Sequence, residues 1–214
     1  MKIGVIGSGN IGSTVAKLFV TAGHDVVIAN ARGPESLAGL VGELGPKASA
    51  GTVDQAAAGA DLVLVAVPYR ANTELPPGPF AGKIVIDATN YYPGDFRIPE
   101  LDRGELSSSE YIARHLSGAR LVKAFNNMQS RRLATLGDTA LPEAERHALF
   151  LCGDDEDAKA RVAGLIREVG FAPVDTGTLT GGSKLQGAGG VVYNRMLTGA
   201  QGAAEVAANG GPAV

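Results

Sequence analysis

The sequence predicts an α/β protein with a doubly wound, mainly parallel sheet and a small C-terminal extension, and three observations carry that prediction. Short runs rich in Val and Ile alternate with segments of helical period. A glycine cluster joins the first of these runs to the first helix. The composition, with 45% hydrophobic and 19% charged residues and a formal net charge of −3, is that of an ordinary globular chain. At 214 residues it is long enough for one well-buried core and too short for two full-sized enzyme domains. Its charge balance argues against a basic groove for nucleic acid.

The apolar runs are Lys2–Ile6, Asp25–Ala29, residues 61–67 and 83–87, Arg120–Ala124, residues 147–152 and Ala172–Asp175. Their β-branched content and the turn residues around them mark strands. Segments of helical period lie between them, at residues 11–22 and 156–169 for example. Such alternation requires crossovers, so the strands run mainly parallel and are covered on both faces. Gly23 and Gly170 stand where helices should stop, and Asp154 and Asp155 are placed to cap the helix that follows them. The acidic run 154–157 lacks the alternating ligand spacing of a calcium loop and reads as a cap with a solvated face.

Residues 91–109 carry scattered Pro, Gly and charge, and they predict a functional loop on the ligand-binding side of the sheet. Residues 177–190 read as a Gly-rich loop, 191–208 as a final helix of small residues, and 209–214 as a frayed end. The expected division is therefore a dinucleotide-binding domain over residues 1–176, with 177–214 packing on that domain or on a second subunit of a homodimer. The single cysteine, Cys152, excludes an internal disulfide and a Cys-based metal cluster, and its apolar run predicts a buried, inert thiol at position 152. No metal site is expected. The chain enters an apolar strand directly after Met1 and has no apolar stretch of the roughly 20 residues that span a bilayer. A cytoplasmic protein without a membrane anchor is the expectation.

The chemistry starts at Gly7-Ser8-Gly9-Asn10-Ile11-Gly12, which follows the first strand directly and opens a helix. In that context the pattern is the Rossmann fingerprint. Gly7 permits a tight turn, Gly9 lets backbone approach a pyrophosphate, Gly12 allows close helix packing, and the N–H groups at the helix start face the anion. The second strand ends at Asn30, 18 residues past Gly12, where an NAD-preferring site would present a carboxylate to the ribose 2′-hydroxyl. Arg32 instead offers a guanidinium that suits a 2′-phosphate, with Ser36 as a further donor, so NADP(H) is the expected cofactor. The strand ends Ala66-Val67-Pro68, Asp87-Ala88-Thr89-Asn90 and Lys123-Ala124-Phe125-Asn126 should emerge at the same edge, near the nicotinamide. Asn90 and Asn126 there either bond a ligand or tie down loops.

No catalytic acid or base stands out. His24 lies in a turn, His115 on a short polar helix and His147 at the start of an edge-like strand, and no Tyr is followed four residues later by Lys. Lys184 with Asn194 resembles the catalytic pair of hydroxyacid dehydrogenases, but that arrangement needs a long helical second domain. A flavin or deazaflavin acceptor carries its own electron-accepting chemistry, so the protein mainly has to orient it.

The segments together resemble the NADPH:coenzyme F420 oxidoreductase family, a class that also takes in the pyrroline-5-carboxylate-reductase catalytic N-terminal domain. More distantly, they resemble the reductase domain of the STEAP metalloreductases. The resemblance rests on residues 6–12, on Asn30-Ala31-Arg32-Gly33-Pro34-Glu35-Ser36-Leu37, on Ala66-Val67-Pro68, on Asp87-Ala88-Thr89-Asn90-Tyr91-Tyr92 and on Val122-Lys123-Ala124-Phe125-Asn126. It implies an NADP-binding Rossmann domain in which a deazaflavin stacks on the nicotinamide. By position, Gly9, Asn10 and Ile11 would lie at the pyrophosphate, Arg32 and Ser36 near the 2′-phosphate, and Pro68, Asn90, Ala124 and Asn126 around the nicotinamide. Gly7, Ser8, Gly12, Asn30 and Val67 complete the expected cofactor-binding set.

The first reading is thus an NADPH-dependent reductase of a flavin-like or deazaflavin (coenzyme F420) acceptor. A second is an NADP-dependent dehydrogenase or imine reductase of a small metabolite, with Tyr91, Tyr92, Tyr193 or a water delivering the proton. A third is a non-catalytic NADP(H)-sensing module.

Overall fold

In a computed structural model that describes residues 1–94 and 96–212, eight strands form one sheet. They are β1 (Lys2–Ile6), β2 (Asp25–Ala29), β3 (Ala48–Ala50), β4 (Leu62–Val65), β5 (Ile84–Asp87), β6 (Arg120–Ala124), β7 (Ala148–Gly153) and β8 (Ala172–Asp175). Their order is β3-β2-β1-β4-β5-β6-β7-β8. Every neighbouring pair is parallel except β6 with β7. The chain moves outward from β1 in one direction and then, from β4, in the other. That reversal opens a crevice beyond the carboxyl ends of β1 and β4, the place where doubly wound sheets bind ligands.

The helices are α1 (Asn10–Thr21), α2 (Ala38–Leu44), α3 (Val53–Ala58), α4 (Tyr69–Asn72), α5 (Pro99–Asp102), α6 (Ser108–His115), α7 (Ser130–Leu136), α8 (Glu156–Glu168), α9 (Leu179–Gln186) and α10 (Gly199–Ala208). Local chemistry sets many of their ends. Thr52 with Gln55, Ser107 with Glu110 and Thr198 with Gln201 form reciprocal capping boxes at α3, α6 and α10. Gly23 and Gly170, both at positive φ, follow α1 and α8 as expected. Asp155 caps α8 by accepting from the Ala158 N–H, whereas Asp154 accepts from Leu179 N at the start of α9.

Apolar side chains cover both faces of the sheet. One cluster joins Val15, Ala16 and Phe19 of α1 to α7, α8 and the sheet, and the other joins α3 and α6 to the opposite face. Strands β4 and β5, LVLV and IVID, are buried along their whole length, as parallel strands covered twice must be. A third cluster packs Val192 and Val206 onto Ala148, Phe150 and Val174, and so seats the C-terminal segment on β7 and β8. Among the described residues no helix is long and apolar enough to cross a membrane.

Several details differ from the sequence expectation. Strand β3 was not foreseen, because Ala48-Ser49-Ala50 has no β-branched residue and pairs only with β2. The run 177–190 is not simply a loop: Thr178 caps α9, and Gly182 lets that helix lie against Cys152 and Thr176. The predicted helix over 191–208 is helical only in α10, since the Thr198 capping box starts it and Asn194 holds a left-handed conformation before it. The strand that begins beside His147 is interior to the sheet, between β6 and β8. Within 91–109, α5 and the first turn of α6 are helical, while Asp95 lies outside the described residues, as do positions 213 and 214 of the expected frayed end.

Phe19 is fully buried and meets Phe125 edge-on, with ring centroids 5.9 Å apart. Phe19→Ala should therefore cost about 3–5 kcal/mol in urea unfolding. A loss below about 1 kcal/mol would show that this contact does not hold α1 on the sheet.

Candidate functional site

The turn from β1 into α1 is built without side chains where side chains would interfere. Gly7 has φ +110°, and a Cβ there would run into the Ala66 carbonyl. A Cβ on Gly12 would run into the Gly7 carbonyl, so α1 leaves the strand as closely as backbone permits. Gly9 is different. Its backbone is extended and an added Cβ would meet no protein atom within 4 Å, so nothing in the fold itself requires glycine at this place. Gly9 is also the N-cap of α1 and supplies no side-chain cap, and the first turn carries no acidic residue. The amides of that turn therefore keep both their donors and their positive dipole end for an anion.

Beside this turn, Asn30 at the end of β2 is the hub of a small polar cluster. Its Nδ2 donates to Ser8 Oγ at 3.0 Å and to Ser36 Oγ at 3.1 Å, while its Oδ1 accepts from the Arg32 N–H at 2.9 Å. Ser36 Oγ also donates to the Gly33 carbonyl at 2.7 Å. The cluster fixes the loop that presents Arg32, whose side chain is exposed and makes no ion pair among the described residues. No carboxylate stands at the end of β2 where one would repel a phosphate.

On the other side of the turn a cleft of about 300 Å³ runs along the carboxyl edge. Gly9, Asn10 and Ile11 form one wall, and Ala66, Val67, Pro68 and Ala88 give it an apolar floor. Asn90 and Tyr92 border it. Asn90 donates to the Asn126 carbonyl at 2.8 Å, and Asn126 Nδ2 returns a bond to Asn90 Oδ1 at 3.1 Å and reaches the Gln186 carbonyl at 2.9 Å. Asn126 is buried behind Asn90, and Ala124 is enclosed in the core, so neither lines the cleft. A second hollow, of about 370 Å³, opens at the amino-terminal edge between β1, β2 and α3, away from the glycine turn.

Three comparisons bear on this geometry. Residues 2–91 match the family described as NADP oxidoreductase, coenzyme F420-dependent. A protein of Arthrobacter sp. FB24 described as an F420-dependent NADP-reductase is 31% identical in sequence, with a TM-score of 0.68 over 84% of this chain and 86% of its own. The chain belongs to this family. The hypothetical protein SMa0349 of Sinorhizobium meliloti is 35% identical, with a TM-score of 0.81 over 92% of this chain and 95% of that one. The metalloreductase STEAP3 of Rattus norvegicus is 30% identical over 86% of the chain, which spans about a third of the length of that curated relative.

In this chain the titratable groups among the described lining residues of the cleft are the phenols of Tyr69 and Tyr92. His24 sits beside Glu168 and the N-terminus, His115 bonds the Leu75 carbonyl, and His147 bridges to Thr198; none of them lines it. Lys184 borders another hollow, and Asn194 accepts from Arg132. The Tyr91 hydroxyl donates to Asp102 at 2.7 Å and accepts from the Ile98 N–H, and burial with that carboxylate neighbour raises its pKa. Tyr69 donates to the Ser108 carbonyl, and burial holds its pKa well above the ordinary phenol value. Cys152 is buried, and burial pushes its thiol up to about 12, as an inert core thiol requires. No group of three or more metal-ligating side chains occurs among the described residues.

One polar feature escaped the sequence reading. Asp87 and Lys123 face each other across β5 and β6 in the sheet register, fully buried, with Nζ and Oδ2 3.2 Å apart. Lys123 also donates to the Thr89 carbonyl at 2.8 Å, and the Thr89 hydroxyl, Ser109 and Asn72 donate to Asp87. Two opposite charges inside otherwise apolar strand runs were the available signal. The network lies directly under Thr89 and Asn90 and so stiffens the cleft border.

Lys123→Met would leave the Asp87 carboxylate buried without its cation and should cost about 3–5 kcal/mol in urea unfolding. Combining it with Asp87→Asn removes both charges and should recover a clear part of that loss. Simply additive losses in this cycle would show that the two groups act independently.

Proposed function

We propose that the chain is an NADPH-dependent reductase that passes a hydride to a flavin-like or deazaflavin acceptor, with coenzyme F420 as the first candidate. The observation that carries the reading is the cleft itself. It joins an uncapped glycine turn to an apolar floor, and no histidine, carboxylate or ammonium group is among its described lining residues. NADPH supplies the hydride when bound. Ser8, Gly9, Asn10, Ile11 and Gly12 would hold the diphosphate through main-chain N–H groups, Gly7, whose own N–H donates to the Ala29 carbonyl at 2.8 Å, would shape the turn around it, and Asn30, Arg32 and Ser36 would recognise the 2′-phosphate. Val67, Pro68 and Asn90 would support the nicotinamide, with Ala124 and Asn126 fixing the strand end behind it. A planar acceptor laid against such a surface needs orientation and a single proton to accompany the hydride. The family description and the Arthrobacter relative support this acceptor class.

A second reading, a dehydrogenase or imine reductase of a small metabolite, is favoured by Tyr92, a phenol that borders the same cleft. We further infer a cytoplasmic homodimer in which residues 177–214 form the appended unit. The apolar groove of about 460 Å³ between α10 and β8 supports a contact there.

Arg32→Ala should weaken NADPH about 10- to 100-fold in calorimetry and leave NADH nearly unchanged, the loss expected for one charge-assisted phosphate contact. Equal losses for both would remove the 2′-phosphate assignment. Anaerobic oxidation of NADPH against coenzyme F420, FMN, FAD, ferric chelate and a carbonyl and imine panel tests the acceptor. Turnover with a deazaflavin or flavin and none with carbonyls or imines is expected. The reverse pattern would favour the second reading, and binding without any turnover would identify a sensor.

A further inference from the structure

Two phenols far apart in the sequence meet at the mouth of the cleft. Tyr92 borders it beside Asn90, and its hydroxyl lies 2.5 Å from that of Tyr193, which the turn before α10 delivers. The pair spans 101 residues of sequence and forms one hydroxyl-to-hydroxyl hydrogen bond. Of the titratable side chains among the described lining residues, Tyr69 and Tyr92, the first donates to a main-chain carbonyl and is buried, while the second is exposed at the rim. Neighbouring Tyr91 is held by Asp102 and Ile98.

We infer that Tyr92 is the proton donor for the acceptor and that Tyr193 relays protons to it from solvent; this rests on the hydride-transfer reading above. A hydride arriving at the acceptor's electrophilic atom drives the electron pair of its C=O, C=N or conjugated ring bond onto an oxygen or nitrogen. Tyr92 gives its phenolic proton to that atom. The resulting phenolate takes the proton of Tyr193 across the short bond, and water reprotonates Tyr193. Overall, one hydride and one proton enter the acceptor, and the dinucleotide leaves oxidised. A phenol suits this task because it is protonated throughout the physiological range and needs no metal or buried charge to donate.

The test uses the full chain and reads two signals. In the first, NADP⁺ and NADPH are titrated in separate samples while tyrosinate absorbance is followed against pH. The cationic nicotinamide of NADP⁺ beside Tyr92 should ease phenol ionisation and move the onset of tyrosinate absorbance to lower pH, while neutral NADPH should leave it in place. Tyr92→Phe should abolish the shift, and Tyr193→Phe should reduce it. In the second signal, Tyr92→Phe should slow reduction of the best acceptor about 100-fold and Tyr193→Phe about 10-fold, with NADPH affinity unchanged and the solvent isotope effect altered. Binding of NADP⁺ without any tyrosinate shift in the wild-type chain, or wild-type rates in Tyr92→Phe, would overturn the assignment and leave the dinucleotide reading intact. Failure of the wild-type chain to bind either dinucleotide would overturn both.

Discussion

The contact between Gly12 and the Gly7 carbonyl leaves no room for a side chain, and it fixes the angle at which α1 departs from the central strand. Three placements follow from that angle. Phe19 lands on Phe125 above β6, the amides of the first helical turn point over the carboxyl edge, and Gly7 comes against Ala66 at the end of β4. A core contact and the uncapped amides of the glycine turn are thus two ends of one helix, so a change that tilted α1 would disturb the core and the turn together.

Below the cleft the fold accepts a cost that apolar strands would avoid. A buried ion pair contributes little net stability compared with apolar packing, because both charges lose their hydration. What the Asp87–Lys123 pair supplies is position: with Thr89, Ser109 and Asn72 it ties the ends of β5 and β6 to α4 and α6. The reciprocal amide bonds of Asn90 and Asn126 continue that framework to the rim and on to α9. The result is a stiff floor under a cleft whose outer border is formed by exposed tyrosine.

The parts of this arrangement that were legible in the sequence are those written in local pattern. Strands such as Leu62–Val65 and Ile84–Asp87 declare themselves by β-branched runs, and the glycine turn by its place between a strand and a helix. Arg32 stands out in the sequence because an acidic residue is missing at a known distance, and the structure leaves it exposed on the loop that Asn30 holds. Strand β3 was not, since alanine and serine become a strand there only through pairing with β2. Helix α9 hid behind its two glycines, Gly181 and Gly182, the second of which allows contact with Cys152. The Asn30 cluster and the Tyr92–Tyr193 bond depend on chain segments brought together by folding, the second across half the sequence, and no local spacing encodes them.

Gly9 separates the binding claim from the folding claim, because its backbone is extended and its missing Cβ faces no protein atom within 4 Å. Calorimetric titration of NADPH into Gly9→Val, beside a melting curve of the same variant, is the most direct test. Unchanged melting with NADPH binding lost is the outcome required if main-chain amides here receive the dinucleotide diphosphate. Wild-type affinity in a normally folded variant would contradict it.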